Sequence, residues 1–291
     1  MRKTVLCASV CLLTMYTPSL VTANKPAGGL YEPATKADAY MAQVYARIDF
    51  GENDTLPFDV FQKACRGYLN LKNAGKLSAD RQILSICDFT RSSGDARLWI
   101  IDMAQGKVLY HTYVAHGQGS GEEFATAFSN RSNSHQSSLG FYVTGDTYEG
   151  EHGLSLRLHG MDNGFNSAAY DRGIVVHGAA YVCNSFIREH SRLGRSWGCP
   201  AVAAELSAEI IGTIKDGTCL FVYYPDKRYL ASAYWLNRKI ERLPEDNPFP
   251  TLPVAGTPQP AAVQVISLDS FQKQGKYLFR ALKPNMKTLI P

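Results

Sequence analysis

The sequence predicts a mainly β core, sandwich or barrel, with a helical stretch before it, and three observations carry this. From Gln82 onward, short apolar runs alternate with turn residues, and only one later stretch has helical spacing. Before that point, residues 36–75 repeat apolar side chains at three and four residues. After residue 243 the periodicity stops, and six prolines fall between Pro244 and Pro260. Four segments follow: 1–23, a leader; 24–80, a helical N-terminal extension; 81–230, the main domain; and 231–291, a Pro-rich C-terminal extension.

Residues 1–23 read as a secretory signal peptide. Arg2 and Lys3 make a basic start, an apolar run spans Val5 to Met15, and Val21-Thr22-Ala23 is a small-residue cleavage site. The run is shorter than the roughly 20 residues a membrane-spanning helix needs. In the helical stretch Phe58, Phe61, Cys65 and Leu69 form an apolar stripe that Tyr68 widens, with Pro57 in the first turn and Gly75 as the stop. Strands are expected at Ile83–Phe89, Arg97–Met103 and Lys107–Val114, the last two joined through Gly106 as a hairpin. Gly117 to Ser137 is a long polar loop rich in Gly, Ser and Asn, and reads as a mobile flap. Further strands are expected at Leu139–Thr144, Leu154–Leu158 and Gly173–His177. A helix is expected over Ala203–Lys215, then a turn at Asp216-Gly217 and a closing strand Thr218–Tyr224. A short strand, Val263–Leu268, is expected in the tail.

Composition excludes several classes. With Arg2 and Lys3 in the leader, 28 basic side chains face 26 acidic ones, which argues against nucleic acid as a partner. No His-Glu-x-x-His, Cys/His cluster or phosphate-cradling glycine loop occurs, so no metal and no cofactor is expected. Without a second long apolar run, the mature chain is expected to be soluble outside the cytoplasm, with no stable membrane insertion. Five cysteines follow the leader, and an odd number leaves at least one free thiol, for which Cys199 is the natural candidate. Cys65–Cys87 and Cys183–Cys219 are conceivable disulfides; Cys87 and Cys219 equally suit small buried thiols.

Chemistry concentrates in two short motifs. Val175-Val176-His177-Gly178 is an apolar strand running into an imidazole, and Gly194-Arg195-Ser196-Trp197-Gly198-Cys199-Pro200 is a thiol in a turn of small residues. A thiol becomes a strong nucleophile when a neighbouring imidazole holds it as a thiolate–imidazolium pair. His116-Gly117 and His159-Gly160 also close strand-like runs and are rival bases on composition alone. Pro200 offers no N–H and steers Cys199 away from helical geometry.

Together the two motifs, 22 residues apart from His177 to Cys199, resemble the signature of the L,D-transpeptidase family. The likeness extends to Ser138-Leu139-Gly140-Phe141-Tyr142-Val143, which stands where the family has a Thr-Pro-x-Gly-x-Phe element, with Leu in place of Pro. Pro200-Ala201 replaces the family's usual aliphatic-Arg after the cysteine, as in the divergent murein L,D-transpeptidase branch. The resemblance covers roughly residues 80–225. It implies an L,D-transpeptidase-type β-sandwich with one or two helices beside the sheet.

It further implies that Cys199 is the nucleophile, that His177 is its base, and that the Gly178 carbonyl orients the imidazole. The N–H groups of Gly198 and Cys199 would face the oxyanion, and Ser196 would shape the turn. Arg172 or Arg195, with Arg192, would replace the missing carboxylate-binding Arg, and His116 and Tyr142 would line the substrate cleft. The implied partners are peptidoglycan stem peptides, as donor and acceptor, in the periplasm or at the cell wall. A hydrolase of the same fold, acting as an L,D-carboxypeptidase, and a non-catalytic wall-binding protein are the alternatives.

Overall fold

The structure, a computed structural model, describes residues 33–244. The expected leader over residues 1–23 and most of the Pro-rich extension, with the strand expected at Val263–Leu268, lie outside the described residues. Among the described residues no helix is long and apolar enough to cross a membrane.

The helical stretch is two helices, α1 (Lys36–Arg47) and α2 (Phe58–Asn73), broken at residues 48–57. Thr35 caps α1 by accepting the Asp38 N–H at 3.1 Å. Pro57 precedes α2, where its missing N–H costs nothing, and Gly75 ends it at φ +64°. The predicted stripe is the face α2 buries: Phe61, Cys65, Tyr68 and Leu69 join one hydrophobic core with the sheet. Gly67 lets α2 approach closely, because a methyl there would overlap the Phe141 ring, itself stacked on Phe221 at 4.2 Å.

Eight strands follow: β1 (Ile83–Asp88), β2 (Leu98–Asp102), β3 (Lys107–Thr112), β4 (Gly140–Gly150), β5 (Gly153–Gly160), β6 (Val175–Ala179), β7 (Ala201–Ala203) and β8 (Cys219–Tyr223). They form a single sheet in the order β3-β2-β1-β8-β4-β5-β6-β7. The architecture is mainly β, as expected. The two layers of the expected sandwich are flanks of one sheet that curls on itself: beyond β3, the Ala115 N–H donates to the carbonyl of Ala201 on β7 at 2.8 Å. The result is a near-barrel. The strand expected to close the chain, β8, is central, parallel to β1 and antiparallel to β4.

α4 (Ala204–Ile214) packs on β5, β6 and β7 through Leu206, Ile210 and Ile214. Three short helices escape the sequence reading: α3 (Asn184–His190), α5 (Lys227–Ser232) and α6 (Tyr234–Asn237). α6 is fastened to α2 by Asn70, whose side-chain amide donates to the carbonyls of Trp235 and Arg238 at 2.9 Å each. All five described cysteines are free thiols, so neither conceivable disulfide forms; Cys65, Cys87 and Cys219 are buried apolar fillers.

Candidate active site

β6 and β7 run parallel, with His177 opposite Ala201 and Gly178 opposite Val202. Stepping back two residues on each strand brings Cys199 beside Val175, whose N–H donates to Sγ at 3.4 Å. The thiol also lies 3.7 Å from the Gly173 carbonyl. One strand step further on, His177 Nδ1 lies 2.9 Å from the Gly178 carbonyl, which fixes the hydrogen on Nδ1 and leaves Nε2 as the acceptor. Gly178 is small for a second reason: a methyl there would press on Ser207 of α4 at 2.7 Å. The register thus places Cys199 and His177 on adjacent strands, and no hydrogen bond joins them among the described residues.

The cysteine turn is tied internally. Ser196 Oγ donates to the Cys199 carbonyl at 2.6 Å and accepts the Gly198 N–H at 3.1 Å. Gly198 takes φ +121°, which favours glycine. Its N–H is therefore committed to Ser196 and does not face an oxyanion, contrary to expectation. The Cys199 N–H has no acceptor among the described residues and is available for that role.

The turn is also tied to the long loop. The Ser196 N–H donates to the His116 carbonyl at 3.0 Å, and the Gln118 N–H to the Ser196 carbonyl at 2.8 Å. Ser137 closes the loop by accepting the Gly117 N–H at 3.0 Å and donating to the Gly198 carbonyl at 3.2 Å. Contact is close enough that a methyl on Gly117 would meet Gly198 Cα at 2.8 Å. The expected flap is thus tied at both ends to the turn that carries Cys199. Part of its polar composition serves buried hydrogen bonds through Ser120, Ser137 and Ser138, while Glu122, Arg131 and Asn133 stay exposed.

Electrostatics favour neutral partners. Burial pushes the Cys199 thiol above its ordinary value, against the pull of the Val175 N–H and the Arg172 charge. Burial holds the His177 imidazole below 6.5; the Gly178 carbonyl opposes this and the His152 charge reinforces it. Both shifts favour the neutral thiol and the neutral imidazole over a thiolate–imidazolium pair.

The remaining expected residues divide. His116 is fully buried and does not line the cleft: Arg97 Nη2 donates to its Nδ1 at 2.7 Å, and its Nε2 reaches the Gly121 carbonyl at 3.3 Å. Burial and the Arg97 charge lower its pKa to about 3, so it is a neutral brace. Tyr142 is likewise buried, its hydroxyl donating to the Ser138 carbonyl at 2.9 Å, so it supports the wall without facing substrate. The rival base His159 stacks on Tyr170 at 5.2 Å.

Arg195 and Arg192 both pair with Glu122, at 2.7 and 3.0 Å. Arg172 donates to the Ser129 and Gln136 carbonyls at 2.8 and 2.7 Å and to Ser138 Oγ. It has no carboxylate partner among the described residues, and its charge reaches Cys199. Its remaining terminal N–H donates to Ser134 Oγ at 3.2 Å. Sequence reasoning passed over Arg97, Ser137 and His152. Only the odd position of Arg97, inside an otherwise apolar strand run, was a signal.

A family model described as the L,D-transpeptidase catalytic domain matches residues 52–223, beginning ahead of α2. No curated protein matches the chain in sequence. Among solved structures, an L,D-transpeptidase from Mycobacterium smegmatis is 13% identical, with 49% of this chain and 59% of that one covered and a TM-score of 0.31. One from Stackebrandtia nassauensis is also 13% identical, with 66% and 68% covered and a TM-score of 0.31. One from Mycobacterium tuberculosis is 11% identical, with 49% and 58% covered and a TM-score of 0.30. The chain thus spans 59% of the length of the first of these relatives.

Proposed function

The chain belongs to the L,D-transpeptidase catalytic-domain family, and from that premise we propose that it is an exported cysteine acyltransferase that crosslinks peptidoglycan stem peptides. The observation that carries the chemistry is the Cys199 thiol beside the Val175 N–H, one strand step from an imidazole whose Nδ1 is fixed on the Gly178 carbonyl. Export is proposed on the leader over residues 1–23.

In this reading Cys199 Sγ attacks the carbonyl at the L-centre of diaminopimelate in a tetrapeptide stem, while its proton passes to His177 Nε2. The Cys199 N–H bonds the tetrahedral oxyanion. The C–N bond to the terminal D-Ala breaks, and the leaving amine takes the proton from His177. An amine of a second stem then attacks the thioester and gives its proton to His177; the C–S bond breaks, and the thiolate takes that proton back. The product is a 3→3 crosslink and the free thiol is restored. Arg172 meets the donor stem's terminal carboxylate.

Purified protein incubated with disaccharide-tetrapeptides tests this by mass spectrometry. Crosslinked dimers, together with an acyl adduct on Cys199, are expected. Tripeptides without dimers would replace the reading with hydrolysis. Neither product nor adduct would leave a wall-binding protein.

A further inference from the structure

We propose that His152 is a positioning residue for His177: carried on the β4–β5 turn, its ring stacks on the imidazole of the base and holds it where Nε2 can take the thiol proton. The ring centroids are 4.4 Å apart and the planes 23° from parallel. The hairpin geometry puts it there. β4 and β5 pair to their tips, Gly150 opposite Gly153, leaving Glu151 and His152 as the turn. Ser155 of β5 in turn pairs with His177 of β6. The turn therefore overhangs the strand that carries the base. Gly153 makes the tight reversal at φ +74°.

The imidazole is consequently held in two ways. In its plane, Nδ1 is fixed by the Gly178 carbonyl at 2.9 Å. Across its face, the stack resists rotation about the Cβ–Cγ bond, which would otherwise swing Nε2 away from Cys199. His177 is 3% exposed although its partner in the stack is exposed, so His152 is part of its cover. Of the elements packed on β6, namely β5, β7 and α4, none brings a charge to bear on His177 among the described residues; His152 does, and Arg172 acts on Cys199 instead. A protonated His152 opposes protonation of the base by like-charge repulsion.

The kinetic consequence rests on the acyl-transfer reading; the structural claim does not. The test uses the full chain as wild type, His152→Ala and His152→Phe. Three measurements are made on each: the NMR titration of the His177 ring, the rate of Cys199 alkylation by iodoacetamide against pH, and acyl transfer. In His152→Ala the His177 midpoint should rise by about half a unit or more, as cover and like charge are lost together. Alkylation near neutral pH should fall about fivefold, because the base is no longer oriented. His152→Phe keeps a flat ring over His177 and should return alkylation to within about twofold of wild type, while its His177 midpoint stays above the wild-type value.

Either of two results would overturn the proposal. One is a His177 midpoint and alkylation rate in His152→Ala indistinguishable from wild type. The other is a Phe variant as impaired as Ala. Wild-type protein that shows these titrations but forms no crosslink would sink the acyl-transfer reading and leave the stack's role intact.

Discussion

Ser137 and Gly198 are joined by a buried hydrogen bond, Ser137 Oγ to the Gly198 carbonyl at 3.2 Å, and the same oxygen accepts the Gly117 N–H at 3.0 Å. One hydroxyl thus fastens the long loop to the residue before Cys199. Ser137→Ala leaves both backbone groups without a partner, at a cost of about 1–3 kcal/mol. It should also lower kcat roughly tenfold through a misplaced Cys199. Urea unfolding and steady-state kinetics on one preparation check both, and an unchanged kcat would show that the stitch serves stability alone.

Cys199→Ala and His177→Ala should each abolish crosslinking while leaving the fold intact. A half-buried thiol at a turn contributes little packing. Cys199→Ser should also be poor, because a serine hydroxyl is far less acidic beside the same base. Circular dichroism with product analysis separates lost chemistry from lost folding. Near-wild-type turnover in Cys199→Ala would remove the proposed mechanism.

Activity against pH should show a wide plateau. His177 is held below its ordinary 6.5, so the base stays neutral until the pH falls through that lowered value. Cys199 is held above its ordinary 9.0, so the thiol keeps its proton until the pH passes that raised value. kcat/KM for the free enzyme should therefore fall only below 6.5 on the acid side and change only above 9.0 on the alkaline side. Limbs inside that window would indicate a preformed ion pair instead.

Acid should destabilise the fold through His116. Its pKa is about 3 in the native state against an ordinary 6.5, so below 6.5 the unfolded chain binds a proton that the native state refuses. Stability contributed by the neutral imidazole is full above 6.5, declines as the pH drops, and is gone below about 3. At pH 4.5 the loss is on the order of 2–3 kcal/mol. His116→Gln cannot take the proton and should flatten this decline in urea midpoints measured between pH 7 and pH 4.5. An equally steep decline in the variant would assign acid sensitivity elsewhere.

Gly67→Ala should cost about 1–3 kcal/mol by overpacking, since the added methyl overlaps the Phe141 ring. Adding Phe141→Leu should recover part of the loss by making room. Thermal denaturation of the single and double variants reads this directly; an unaffected Gly67→Ala midpoint would mean that α2 slides freely on the sheet.

Much of this was legible in the sequence. Strong apolar periodicity marked β1, β2, α4 and β8, and Gly106, expected to turn the hairpin, takes a positive φ of 64°. The two motifs lie on adjacent parallel strands, and His177 Nδ1 meets the Gly178 carbonyl that the family resemblance implied. What stayed hidden was set by long-range contact. The outer half of β4, Gly145 to Gly150, is polar and glycine-containing, and becomes a strand only by pairing with β5. His116 and Tyr142 looked like cleft residues because exposure cannot be read from type, and it took Arg97 and the Ser138 carbonyl to bury them. His152 could not be found at all, because only the hairpin register carries it over His177.

The central position of β8 constrains the order in which the molecule can be built. Leu84 of β1 pairs with Cys219, and Gly140 of β4 with Val222, so the final strand of the sheet joins two ladders made of earlier ones. Until residues 219–223 emerge and insert, β1 and β4 keep unpaired inner edges, and the bridge from Ala115 to Ala201 ties β3-β2-β1 to β4-β5-β6-β7. Such sequence-distant pairing makes for slow closure. A nascent chain would therefore hold a complete cysteine turn on an unfinished ribbon, and Cys199 would reach its final geometry only when the sheet's last strand is in place.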